Sequence, residues 1–215
     1  MQTIVWPARR WAGGVLALSM FYTAQLAVTA LPQTDPDGFL ILLAGFGLAA
    51  AMLGLLALTQ LTPGQTVSVF LGRRLGAVLV LGWVLVTLVQ AGAIGWDTGQ
   101  AGPAPAGPAW PERGGVLFVL MLLALPAIAE ELLYRHFVME MFDLAHPKGR
   151  LLAIVLSTAL FAYSFGGDTA GAHMLFMAAL GLVLGTARVA SGGLLAPILL
   201  NAYATGLGLL AEAVL

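Results

Sequence analysis

Cysteine is absent from this 215-residue chain. Its absence excludes disulfides, thiolate nucleophiles and cysteine-ligated zinc. Histidine is scarce, with only His136, His146 and His173. That leaves little material for a metal site, and neither a metal nor a cofactor is expected. Charge is also in short supply: Asp, Glu, Lys and Arg make up 9% of residues, where a soluble domain carries about 25%. Hydrophobic residues make up 60%. The expected fold class is all-α, a polytopic transmembrane helix bundle whose first partner is the lipid bilayer. A net charge of -1 gives no reason to expect a nucleic-acid partner.

Seven segments read as helices: 11–31, 39–61, 67–94, 115–142, 151–166, 170–189 and 194–214. Turn chemistry separates them, at Gln33 to Gly38, Thr62-Pro63-Gly64, His146-Pro147-Lys148-Gly149 and Ser191-Gly192-Gly193. The fifth is short for a full span. Arg9-Arg10 ahead of an apolar stretch resembles the start of a secretion signal. The stretch Trp11 to Leu31 is nevertheless long enough to cross a bilayer, since about 20 residues suffice. A retained first helix is therefore expected.

Charge distribution sets the expected orientation. With a cytoplasmic N-terminus, Arg9, Arg10, Arg73, Arg74, Lys148, Arg150 and Arg188 fall in cytoplasmic segments. Arg135 lies within a span, and Arg113 falls in an outer loop, with Asp35, Asp37, Asp97, Glu112 and Asp168 also outside. Lys and Arg concentrate on the cytoplasmic side of membrane proteins. The expectation is N-in and C-out, in a bacterial inner membrane.

Gly95 to Gly114 contains four prolines and several glycines, a composition that opposes helix and sheet. It divides the chain into three N-terminal helices (1–94), an outer loop (95–114) and a four-helix rear part (115–215). Trp96 and Trp110 bracket the loop as interfacial anchors. No internal repeat points to a two-halved transporter. The small-residue pairs Gly72/Gly76 and Gly181/Gly185 are read as sites of close helix packing.

Against this background, Glu130, Glu131 and Arg135 stand out at the end of the apolar run that begins near Gly115. Each ionisable group in a span costs roughly 2.5–3.5 kcal/mol on insertion scales, so three together need a reason. Glu131 and Arg135 are i and i+4 on a helix and can pair. Glu130 points about 100° away, toward a different surface, where a buried carboxylate can act as a general base. Pro126 removes a backbone hydrogen bond one turn earlier and kinks the helix. The other reading of the same residues is a buried ion pair that fixes helix register, with a surplus Glu facing water.

The Glu-Glu-x-x-x-Arg pattern on this helix resembles the first motif of the CAAX-protease and bacteriocin-processing (CPBP, or Abi) membrane proteins. The likeness runs over about 115–210 and includes Phe161, Phe176 to Gly185 and Ser191 to Leu199. It implies a CPBP-like core in which the first Glu activates water without a metal. Histidines from two later helices and an Asn one turn after the last His complete such a site. Glu130, Glu131 and Arg135 match the first motif. The second motif, Phe-x-x-x-His, reads Phe161 to Phe165. The third, His-x-x-x-Asn/Asp, reads Asn201 to Thr205. Both motif histidines are thus replaced.

His173 falls at the start of the next span, and the intervening Gly166 to Thr169 loop is expected on the opposite membrane side from Glu130. His136 points off the face of Arg135. Tyr163, Ser164 and Tyr203 add polarity without an evident dyad. Asn201 and Thr205 can hydrogen-bond, but neither carries a proton as imidazole does near neutral pH. Three functions remain open. The favoured one is a non-proteolytic member that binds another integral membrane protein as a scaffold or complex subunit. The second is an intramembrane glutamic endopeptidase using Glu130 as base, supported by Glu131 and Arg135. The third is a small transporter.

Overall fold

The computed structural model describes residues 7–29, 39–61, 63–100, 115–165 and 171–214. Among them there are only helices, joined by turns. In chain order these are α1 (Pro7–Thr29), α2 (Phe39–Leu42), α3 (Leu48–Gln60), α4 (Pro63–Leu71), α5 (Leu75–Gln100), α6 (Gly115–Glu130), α7 (Pro147–Ser164), α8 (Gly171–Ser191) and α9 (Leu195–Val214). Two π-helical stretches, Leu43–Gly47 and Glu131–Val138, join α2 to α3 and extend α6. Five runs are long and apolar enough to cross a membrane: Arg10–Thr29, Leu40–Gln60, Gln65–Trp96, Gly115–Val138 and His173–Ser191. The apolar part of α9, Leu195–Ala211, is shorter, and α7 opens on Lys148 and Arg150. The all-helical polytopic bundle read from composition is therefore the observed architecture.

Several boundaries differ from those expected. The third helix does not run unbroken from 67 to 94. It starts at Pro63, stops at Leu71, and resumes at Leu75, because Gly72 adopts a φ of +71°. Helix α5 also continues to Gln100, past the expected loop start at Gly95. The first proline of that loop is Pro103, so nothing before it blocks the helix. The remainder, including Trp110, Glu112 and Arg113, lies outside the described residues, as do Gln33 to Gly38 and Gly166 to Thr169. The fifth helix begins earlier, at Pro147, where a proline sits in the first turn after an extended His146. The missing N–H of proline costs nothing at that position.

Helix α6 and its π extension form the centre of the bundle. Helices α3 and α9 pack on α6, while α1, α7, α8 and α9 reach the π extension. Helix α5 covers α8 and α9 from the outside. The shared core includes Phe21, Leu53, Val86, Leu133, Phe137, Phe161, Leu184 and Leu200. Gly181 faces Thr158 and Phe161, and Gly185 faces Ile154, so α7 and α8 approach closely along this small-residue face. A side chain at Gly76 would meet no other segment within 4 Å, so Gly76 is not a packing site.

Candidate functional site

The polar cluster forms where α6 changes into a π-helix. Glu130 is the last α-helical residue, and Glu131 to Val138 make the wider π turns. Such turns are rare and occur frequently at functional sites. Pro126 lies inside α6 one turn earlier. The wider turn still keeps Glu131 and Arg135 on nearly one face. Arg135 Nε lies 3.3 Å from Glu131 Oε2. The contact is ionic and not a directed hydrogen bond, because Glu131 Oε2, Arg135 Nε and Arg135 Nη1 lack hydrogen-bond partners.

The rest of the guanidinium is held by packing. Arg135 Nη2 donates to the Gly181 carbonyl at 3.4 Å. The Arg135 Cζ atom sits 5.0 Å from the centre of the Phe161 ring, a cation–π distance. Tyr134 packs edge-on against the same Phe161 ring and donates its hydroxyl proton to Ser164 Oγ at 3.0 Å. Phe161, noted in the sequence only as the start of a motif, therefore acts as a floor for the arginine.

Glu130 does not face a separate surface, contrary to the 100° expectation. One side-chain amide draws the two carboxylates together: Asn201 Nδ2 donates to Glu130 Oε2 at 3.0 Å and to Glu131 Oε1 at 3.1 Å. An amide nitrogen carries two hydrogens, and both are spent here. The cluster is sealed, with Glu131 and Arg135 at 0% exposure and Glu130 and Asn201 at 4%. The surplus Glu facing water is thereby excluded as well.

The remaining motif positions lie around this centre. Thr205 turns back along α9 and donates to the Asn201 carbonyl at 3.2 Å. Phe165 caps the end of α7, with its ring 5.0 Å from that of Phe161. Tyr163 is exposed, and Tyr203 meets the Thr87 hydroxyl at 2.9 Å. His173 lies about 12 Å along α8 from Gly181, the residue whose carbonyl meets Arg135. Among the described residues, no three His, Asp or Glu side chains converge in a way that could hold a metal ion.

Sequence reasoning missed a second polar knot. His136 is buried, with Nδ1 2.8 Å from Glu140 Oε1. Arg188 approaches the same oxygen at 3.6 Å and donates from Nε to the Arg135 carbonyl at 3.2 Å. Arg188 is thus a buried structural cation near the end of α8. Burial pushes the Glu140 carboxyl up, but the His136 hydrogen bond and the charges of His136, Arg188 and Arg10 outweigh it. The net effect holds the carboxyl below its ordinary value. The available signals were the i, i+4 spacing of His136 and Glu140 and the position of Arg188 in the last turn of a span.

No curated protein and no solved structure matches the chain. Residues 112–206, which contain the whole cluster, match the family described as type II CAAX prenyl endopeptidase, Rce1-like. Over this segment the chain is similar to the Rce1-like group of CPBP membrane proteins.

Proposed function

We propose that this integral membrane protein is a non-proteolytic CPBP member that serves as a binding or scaffold subunit for another integral membrane protein. One observation carries the reading. Asn201, standing where the family's third motif has a histidine, spends both amide hydrogens on Glu130 and Glu131 inside a sealed cluster. A general base needs its substrate's proton within hydrogen-bond reach, and these carboxylates are sealed from water and flanked by groups that exchange no proton near neutral pH. An amide does not titrate near neutral pH, and Phe165 at the second-motif position offers no proton either. Glu130, Glu131, Arg135 and Asn201 then act as a buried register lock between α6, α8 and α9.

The retained first motif supports the alternative, an intramembrane endopeptidase with Glu130 as base. We further propose an N-in, C-out orientation in a bacterial inner membrane. Arg10 and Arg188 gather around Glu140, and Arg73 pairs its backbone with Ser191 at the end of α8. One end of the bundle therefore carries the basic residues, as the cytoplasmic side does. The subunit reading is tested by purifying the full chain in mild detergent and identifying the chains that accompany it. A stoichiometric integral membrane partner is expected. A chain that purifies alone, even after crosslinking in the membrane, contradicts the proposal.

A further inference from the structure

The apolar run Gln65–Trp96 has 32 residues, about 48 Å if wholly helical. The hydrocarbon core of a bilayer is about 30 Å thick. The backbone resolves the excess by breaking: α4 ends at Leu71 and α5 begins at Leu75. Helix α5 has 26 residues, about 39 Å, and is sufficient alone to cross. No hydrocarbon thickness is left for α4.

The break is a built feature. The Arg73 N–H donates to the Ser191 carbonyl at 2.8 Å, and the Leu194 N–H donates to the Val69 carbonyl at 2.9 Å. This clasps the Gly72 turn to the turn between α8 and α9. A side chain at Gly72 would collide with the Ser191 carbonyl and the Gly193 backbone. Beside the clasp, Val67, Phe70 and Leu71 are exposed. Their i, i+3, i+4 spacing puts them on one helix face. Arg73 and Arg74 follow directly, both exposed, and neither makes an ion pair among the described residues.

We propose that α4 lies in the membrane interface and that Arg73 and Arg74 bind the headgroups of anionic phospholipids in the adjoining leaflet. An amphipathic helix at this depth buries its apolar face at the headgroup–acyl boundary. The arginine stems follow it, while the guanidinium groups reach the phosphates. The inference is independent of whether the chain cleaves peptides.

The chain has no cysteine, so Phe70→Cys and Leu85→Cys each give one spin-labelling site in the full-length protein. Both are reconstituted in nanodiscs of equal parts phosphatidylglycerol and phosphatidylcholine. Power-saturation depth measurements are expected to place the Phe70 label at the headgroup–acyl boundary and the Leu85 label deep in hydrocarbon. A Phe70 label as deep as that at Leu85, or one in bulk water, overturns the proposal. In parallel, phosphatidylglycerol enrichment among lipids retained by the purified chain is compared for the parent, Arg73→Gln/Arg74→Gln and Arg73→Lys/Arg74→Lys. The glutamine pair is expected to lose enrichment by roughly thirtyfold, at about 1 kcal/mol per basic residue near an anionic surface. The lysine pair is expected to keep most of it. Unchanged enrichment in the glutamine pair overturns the proposal, as does equal loss in both pairs.

Discussion

Replacing Arg135 with alanine removes the guanidinium that stands beside two carboxylates sealed from water. The parent arrangement has an ion pair at 3.3 Å, a carbonyl contact at Gly181 and a cation–π contact with Phe161. At an effective dielectric near 20, two unit charges 3.3 Å apart attract by about 5 kcal/mol. Their desolvation offsets most of this, so the pair itself adds little net stability. Breaking it is different, because Glu131 is left buried and uncompensated beside Glu130. Such truncations typically cost ~3–5 kcal/mol. Arg135→Ala and Glu131→Gln should each lose stability in this range, measured by denaturant titration in detergent micelles with tryptophan fluorescence. The double variant Glu131→Leu/Arg135→Leu should be less destabilised than either single, because replacing both partners with apolar groups is often near neutral. If Arg135→Ala stays within about 0.5 kcal/mol of the parent, a typical surface effect, the buried pair does not hold the bundle. Strict additivity in the double variant would likewise show that the two residues are not coupled.

Three further outcomes are expected. Gly72→Ala should destabilise by more than the roughly 1–2 kcal/mol that left-handed backbone alone costs, since its Cβ would also meet the Ser191 carbonyl; the same titration measures it. Glu140 has a folded-state pKa below its ordinary value, so its contribution is present above the unfolded pKa of about 4.3 and is lost as pH falls through the folded value. Glu140→Gln should therefore approach the parent's stability at the acid end and fall behind it at neutral pH, read from paired unfolding curves. Reporter fusions after Gly38 and Gly102 should read as non-cytoplasmic, and one after Gly149 as cytoplasmic; the inverse pattern would reverse the proposed orientation.

The helical bundle was legible because hydrocarbon imposes it: long apolar runs leave the backbone no other way to satisfy its polar groups. The Glu131–Arg135 contact was also legible, since i, i+4 spacing survives the change from α to π turns. The direction of Glu130 was not. An ideal α-helix separates its side chain from that of Glu131, and the bridging partner, Asn201, comes from α9, far along the chain. The break at Gly72 was hidden because hydropathy continues across it, although a 32-residue run exceeds what a bilayer needs. The burial of Arg188 was not legible because its carboxylate partner, Glu140, follows a different span. The bridging of Glu130 and the approach of Arg188 to Glu140 are contacts between distant segments, which local periodicity does not encode.

The most direct test of the central claim is turnover of prenylated and membrane-spanning test peptides by the purified full-length protein, with Glu130→Ala alongside. The account expects no cleavage above background in either protein, because the carboxylates are sealed from water and no imidazole stands at the motif positions. Cleavage by the parent that Glu130→Ala abolishes would contradict it and identify Glu130 as a working base.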